Sequence, residues 1–211
     1  MDENMEKNVK NILNTAMKVI TNPVGFFRDM PKTGGFIEPL IFAVALGLVS
    51  GVITAILSIF SLGSVVSFWM GLAFIIYYPI MLAIGSFIGA LILFIIWKIM
   101  GSQEPYETAY RCMAYAMAIS PITVLLQIIP YIGAILGLAW YLYLMMAAST
   151  EVHKIAQKTA LMVFGIIFIL LALGTTCGNF TARKVQNSLE QYEDMTPEEA
   201  GKAFGEFMKG V

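Results

Sequence analysis

Four charged side chains stand out because they lie beside long uncharged stretches: Glu38, Glu104, Glu107 and Arg111. Glu107 and Arg111 are four residues apart, in the order that favours an ion pair along one helix face. Charges that converge deep in a membrane mark proton relays and ion paths, whereas these side chains lie near the ends of the apolar segments. We therefore expect a structural polar cluster with an ion pair rather than a transport relay.

The other chemically active residue types form no pattern for catalysis or for binding a metal or a cofactor. His153 is the only histidine, and its spacing from Glu151 does not match a zinc motif such as HExxH, so we expect a solvated loop residue. Two cysteines are too few for a disulfide framework. The sequence contains no glycine-rich phosphate loop. It predicts a protein that is not an enzyme, with no catalytic residue, cofactor site or metal site.

The composition is that of a protein whose main solvent is the lipid bilayer. Hydrophobic residues make up 58% of the chain and charged residues 13%, and the mean hydropathy is +0.77. The 59 residues from Pro39 to Trp97 carry no charge at all. A membrane-spanning helix needs about 20 apolar residues, and the chain supplies that length several times. A net charge of −1 argues against binding of nucleic acid.

These apolar runs predict an all-α, polytopic membrane helical bundle with five transmembrane helices. The spans are expected at about 37–60, 77–99, 106–128, 131–150 and 159–178. We expect an outer loop with a partly embedded segment at 61–75, and a break at Pro79 near the start of the second span. Pro121 predicts a kink inside the third span.

The distribution of Lys and Arg predicts the orientation in the membrane. Five spans with the N-terminus in the cytoplasm place nine of these residues inside and four outside, as the positive-inside rule requires. A six-span alternative that splits 66–97 also gives nine against four. Five spans are preferred because they put both charge-free turns, 61–67 and 128–131, outside. The C-terminus is then outside, and the membrane is the cytoplasmic (inner) one if the protein is prokaryotic.

Both ends of the chain are expected to form amphipathic helices at the interface. Residues 8–20 place apolar side chains at helical spacing, and a second such helix is expected after Thr196. The predicted division is a cytosolic N-terminal segment over 1–35, a transmembrane domain over 36–178, and a soluble or membrane-associated tail over 179–211.

Pairs of glycines four residues apart occur in four of the five proposed spans and predict close helix packing. The pairs are Gly47/Gly51, Gly85/Gly89, Gly133/Gly137 and Gly174/Gly178. The third span carries Ala114 and Ala118 instead. We expect a tightly packed bundle. A homodimer face is the alternative, but it would use one pair rather than all of them.

Two groups of motifs resemble a known membrane family. The segment 22–30, NPVGFFRDM, precedes Pro39 and the first span. A second motif opens the third span and is formed by Pro105, Tyr106, Tyr110, Tyr115 and Pro121. Gly133, Trp140 and a polar exit near His153 follow. Together these features cover about 20–175 and resemble the Yip domain, a family of polytopic membrane proteins named for eukaryotic members that bind Ypt/Rab GTPases.

The resemblance implies a five-span helical domain with a cytosolic N-terminus. Eukaryotic members look like membrane-traffic scaffolds that engage GTPases and influence membrane shape. This sequence lacks their long cytosolic N-terminal region and its acidic-leucine-Gly-Pro motif, so GTPase binding is not carried over. The short form is similar to prokaryotic members.

Two functions remain open. The favoured one is a non-catalytic membrane scaffold, assembly factor or membrane-organising protein, whose partners are the lipid bilayer and other membrane proteins or further copies of itself. The alternative is a small transporter or channel that uses the proline-kinked spans. It is motivated by the prolines and by polar residues within the spans: Thr54, Ser58, Ser86, Thr123 and Gln127.

Overall fold

A computed structural model describes the backbone of residues 3–60, 68–129 and 132–193, and side chains within 6–60, 69–129 and 132–178. All regular structure in these residues is helical. The helices are α1 (Glu3–Thr21), α2 (Pro23–Asp29), α3 (Ile37–Ile59), α4 (Phe68–Ile99), α5 (Tyr106–Ala116), α6 (Ser120–Leu126), α7 (Ile132–Glu151) and α8 (Gln157–Glu193). The chain divides into two compact units, Met1–Leu170 and Leu171–Val211.

Five helical stretches are long and apolar enough to cross a membrane. They are Ile37–Ile59, Trp69–Ile99, Tyr106–Leu126, Ile132–Glu151 and Gln157–Gly178. The predicted all-α, five-span membrane fold is confirmed. The third stretch is interrupted by a 3₁₀ turn, Met117–Ile119, just before Pro121 in the first turn of α6. Proline lacks the amide hydrogen that would continue the α-helical ladder, so the α-helix is interrupted at the place where Pro121 predicts a kink.

The second span differs from its prediction, because α4 is one helix of 32 residues with Pro79 inside it. The loop expected over 61–75 is wrong for residues 68–75, which are helical, while 61–67 lie outside the described residues. A proline removes one backbone hydrogen bond, and a packed neighbouring helix lets a membrane helix tolerate that loss. At 1.5 Å per residue α4 is about 48 Å long, so it tilts or extends beyond a hydrocarbon core of about 30 Å.

Helix α3 is the neighbouring helix that packs closely on α4. A Cβ added at Gly47 would lie 2.7 Å from Cα of Pro79, and one added at Gly51 would lie 2.5 Å from the carbonyl oxygen of Phe74. Any side chain at either position would push the two backbones apart, since real Cβ contacts are longer. Glycine is therefore needed at both positions for this packing.

The N-terminal helices pack on the same unit. Helix α1 is longer than predicted, from Glu3 to Thr21, and it buries Ala16 and Val19. Asn22 caps α2 by accepting a hydrogen bond from the amide of Gly25 at 3.1 Å. Phe27 is 1% exposed and packs in the core against residues of α7. Helix α2 is thus a short helix packed on the bundle.

The last helix extends beyond its predicted end at residue 178 and runs to Glu193. In the first unit, its N-terminal turns bury Ala160 and Phe164 in the core. In the second unit, Leu171 and Leu173 are exposed. The amphipathic helix predicted after Thr196 lies outside the described residues.

Candidate functional site

The loop between α2 and α3 crosses the start of α5 and depends on two glycines. Gly34 has a φ of +128° and Gly35 a φ of +82°, conformations that side chains with a Cβ rarely adopt. The guanidinium of Arg111 faces Gly34: a Cβ added there would lie 3.3 Å from Nη1. The chain can therefore fold back over Arg111 and turn its carbonyl groups toward it.

Arg111 is the centre of the polar cluster and is 1% exposed. Its Nε donates to the carbonyl oxygen of Pro31 at 2.7 Å, and Nη1 donates to that of Gly35 at 3.1 Å. Nη2 donates to Oε2 of Glu38 at 3.2 Å. The planar fork of a guanidinium suits this arrangement, because its donors point to three separate acceptors. Arg111 thereby fixes the loop and the first turn of α3 against α5.

The ion pair predicted between Glu107 and Arg111 is wrong. Glu107 instead accepts a hydrogen bond from the backbone amide of Gly35 at 2.7 Å. The loop and the first turn of α3 offer Arg111 two carbonyl oxygens and a carboxylate, and the loop offers Glu107 a backbone amide, so these tertiary partners replace the local pair. The cluster does contain an ion pair, but its carboxylate comes from Glu38 on another helix.

Glu104, the last of the predicted residues, pairs with a lysine that the sequence did not single out. Nζ of Lys32 lies 2.6 Å from Oε1 of Glu104 and also donates to the carbonyl oxygen of Val152 at 3.3 Å. The hydroxyl of Thr108 donates to the carbonyl oxygen of Lys32 at 3.1 Å. These bonds join the loop after α2 to α5 and to the segment after α7.

A third ion pair ties α2 to the end of α7. Nε of Arg28 lies 3.0 Å from Oε2 of Glu151, and Nη2 donates to Oε1 at 3.3 Å. The hydrogen bond and charge of Glu151 raise the pKa of Arg28 above its ordinary value. Because the Arg28 side chain is 61% exposed, this pair adds orientation more than stability.

His153 lies in the core, so its prediction as a solvated loop residue is wrong. It is 5% exposed, and its ring stacks on Trp97 with centroids 3.9 Å apart. Nδ1 lies 2.7 Å from Oγ of Ser102, and Nε2 lies 4.0 Å from Sγ of Cys112. Burial, with the nearby charges of Lys32 and Lys98, lowers the pKa of His153 to about 3. The imidazole is therefore neutral at physiological pH.

The tyrosines of the motif at the start of α5 make contacts between spans. The hydroxyl of Tyr106 donates to the carbonyl oxygen of Phe87 at 2.9 Å, and the Tyr110 ring stacks on Phe87 with centroids 4.4 Å apart. Tyr115 is 5% exposed and lies beside Arg111, with its ring centroid 5.7 Å from Cζ. Pro105 precedes the first helical residue of α5.

The remaining glycine pairs have unequal surroundings. An added Cβ would meet the side chain of Met113 at Gly89, the carbonyl oxygen of Leu126 at Gly133, and the side chain of Thr123 at Gly137. Among the described residues, it would meet no heavy atom within 4 Å at Gly85, Gly174 or Gly178. A role of all four pairs in packing stays a prediction.

The sequence missed the partners that loops bring together across the chain. Arg28 and Glu151 are 123 residues apart, and Lys32 and Glu104 are 72 apart. In the sequence, these charged residues lie at the ends of apolar segments. That position predicts that they lie at the membrane interface, but it does not predict which of them form pairs.

Five apolar helical stretches and a charged cluster at one end of the bundle define an integral membrane protein with an N-terminal segment bound at that end. The sequence model of the Yip1 domain matches residues 17–177. The chain therefore belongs to the Yip1 domain family, which confirms the resemblance seen in its motifs. Neither the comparison with curated proteins nor the comparison with solved structures found a match.

Proposed function

We propose that the protein is a non-catalytic membrane scaffold or membrane-organising protein that presents its N-terminal helix at the membrane surface. The observation that carries this proposal is the network around Arg111, which fixes the loop before α3 to the third span. Such a network holds α1 and α2 in one orientation, as a recognition surface requires.

Exposed apolar side chains of helix α1 form the proposed recognition surface. Val9, Leu13 and Met17 follow each other at four-residue spacing and are 56%, 61% and 54% exposed. They form an exposed apolar row that borders the face on which Ala16 and Val19 are buried. An apolar row on a charged helix favours contact with the lipid interface, where other membrane proteins or a second copy meet it. GTPase binding is not part of the proposal.

Orientation is also a proposal. Arg28, Lys32, Lys98, Arg111 and Lys154 all lie at the end of the bundle that carries the polar cluster. The positive-inside rule then supports a cytoplasmic N-terminus and a C-terminus outside. In a prokaryote the membrane would be the cytoplasmic one. We keep 1–35, 36–178 and 179–211 as the functional division.

The alternative, a small transporter or channel, has less support. The hydroxyls of Thr54, Ser58, Ser86 and Thr123 each donate to a carbonyl oxygen of their own helix. Polar groups that are satisfied in this way do not offer a chain of sites to a solute. The kinked third span alone does not define a path.

Cross-linking in native membranes tests the scaffold. A photoreactive residue at Leu13 is expected to capture one recurrent membrane protein or a second copy, identified by mass spectrometry. The same label at Ile84, which is 52% exposed on α4, is the matched control and should capture mainly lipid. Solute flux in liposomes by a protein that captures no protein partner at Leu13 would overturn the proposal.

A further inference from the structure

A cleft of about 500 Å³ lies between α1 and the first turns of α3, beside the polar cluster. Asn8, Asn11 and Thr15 line its α1 side, and Ile37 and Ile41 line its α3 side. Ligand pockets commonly have volumes of about 300–1,000 Å³. The cleft is therefore large enough for a lipid head group and its glycerol, but not for a whole phospholipid.

The α1 wall offers polar groups that the protein does not use. Asn8, Asn11 and Thr15 are spaced three and four residues apart, so they share one helix face. Within the part of the chain that the structure describes, none of their side chains makes a hydrogen bond to another protein group. Two amides and one hydroxyl provide both donors and acceptors for a ligand.

Among the described residues, Glu38 is the only charged side chain that lines the cleft, so the lining carries a formal negative charge. This side chain is 73% exposed. The guanidinium that balances Glu38 belongs to Arg111, which is 1% exposed and is bonded to two loop carbonyls. Arg111 therefore cannot reach a ligand in the cleft. A cationic group is favoured at the carboxylate, and a purely anionic head group would find no counter-charge among the lining residues.

An apolar row leads away from the cleft along the outside of α3. Ile37 and Ile41 are 74% and 56% exposed, and Val44 and Leu48 continue the row at helical spacing. These side chains face the hydrocarbon of the bilayer, since α3 spans the membrane. An occupant with acyl chains can lie along this row while its head group stays in the cleft.

We propose that this cleft binds the head group of a phospholipid with a primary ammonium, of the phosphatidylethanolamine class, taken from the bilayer. The ammonium lies at Glu38, and the phosphate oxygens accept hydrogen bonds from Asn8, Asn11 and Thr15. The acyl chains follow Ile37 and Ile41. The proposal does not rest on the scaffold function and can fail separately from it.

The test uses the full-length protein in mixed micelles with equal amounts of phosphatidylethanolamine, its N,N-dimethyl analogue, phosphatidylcholine and phosphatidylglycerol, all with the same acyl chains. Native mass spectrometry measures which lipid stays bound. We expect at least a fivefold preference for phosphatidylethanolamine over phosphatidylcholine, with the dimethyl analogue between them, because each methyl group removes one donor to the carboxylate. Water-soluble glycerophosphoethanolamine in excess should compete poorly, since it lacks the acyl chains.

Variants assign the preference to the cleft. Glu38→Gln should abolish it, but this change also disturbs the Arg111 network. Ile41→Trp fills the cleft, and Asn11→Leu removes part of the polar wall, while both leave the ion pair intact. Each should reduce the preference at least threefold. Asn14→Ala is the matched control, because Asn14 is exposed on the same helix and does not line the cleft.

Four results would overturn the proposal. Equal retention of phosphatidylethanolamine and phosphatidylcholine by the wild type would show that the cleft does not distinguish a primary ammonium from a quaternary one. An unchanged preference in both Ile41→Trp and Asn11→Leu would place the lipid elsewhere. A preference for phosphatidylglycerol, or strong competition by glycerophosphoethanolamine, would show that the cleft selects a different head group or a soluble ligand.

Discussion

Replacing Arg111 by methionine should release the loop between α2 and α3 while the spans stay folded. Methionine fills the space of the aliphatic part of arginine and removes all of its donors. The variant loses the hydrogen bonds to the carbonyl oxygens of Pro31 and Gly35 and to the carboxylate of Glu38. Each of these bonds joins α5 to the loop or to the first turn of α3. Their loss should therefore destabilise the position of the loop before it affects the packing of the spans.

The magnitude follows from how far water can replace each lost bond. A hydrogen bond to a charged group contributes about 1.5–3 kcal/mol where water is excluded. Pro31 is exposed and Gly35 is half-buried, and the Glu38 side chain is 73% exposed, so water can solvate the released acceptors. We take about 1 kcal/mol for each bond, or about 3 kcal/mol in total. The population of the open loop should then rise roughly a hundredfold.

Trypsin cleavage of the peptide bond after Lys32 measures this opening. Lys32 lies in the loop, and its ammonium is bonded to Glu104 and Val152 in the closed state. The rate of cleavage after Lys32 follows the open population when reclosing is faster than cleavage. We expect this rate to rise roughly a hundredfold in Arg111→Met. Arg111→Lys should lie between the two, because a single ammonium cannot reach all three acceptors.

Lys10→Met is the control for a general effect of lost positive charge, since Lys10 is exposed on α1 and forms no ion pair within the described residues. Its cleavage rate after Lys32 should equal that of the wild type. Cleavage of Arg111→Met at the wild-type rate would mean that the guanidinium does not hold the loop. The reasoning about the cluster would then be refuted.

Two further predictions concern the core. The pKa of His153 falls from 6.5 to about 3 on folding, so the unfolded chain binds more protons between these values. The free energy of unfolding should therefore decrease as pH falls from 6.5 to 4.5, by at most about 1.4 kcal/mol per pH unit. His153→Gln should abolish this decrease in denaturant titrations, whereas the loss below pH 4.5 that comes from Glu151, whose pKa is lowered by Arg28, should remain. Gly47→Ala should lower the free energy of unfolding by about 1–3 kcal/mol, because its Cβ meets the backbone of α4. Gly85→Ala, with open space around the added Cβ, should be near neutral in the same denaturant titrations. Equal effects of the two substitutions would contradict the packing argument.

The sequence predicted most of the spans because hydrophobic length is a local property. The first span, predicted at 37–60, is Ile37–Ile59, and the interruption of the α-helix before Pro121 follows from the missing amide hydrogen of proline. The same reasoning failed at Pro79, where continuity of α4 depends on contact with Gly47 in another helix. His153 failed for a similar reason, because its burial is created by Trp97, 56 positions earlier in the chain. Single-sequence patterns carry no information about such contacts.

The choice of partner by Arg111 shows how the tertiary fold decides a polar site. The local partner, Glu107, is one helical turn away from Arg111. The acceptors that Arg111 binds instead are 73 to 80 residues earlier in the chain. Both side chains have a partner, because Glu107 accepts a hydrogen bond from the amide of Gly35, the residue whose carbonyl oxygen accepts one from Arg111. Both side chains therefore join the N-terminal segment to the third span. A movement of the loop between α2 and α3 must then either break these bonds or move the start of α5 with it.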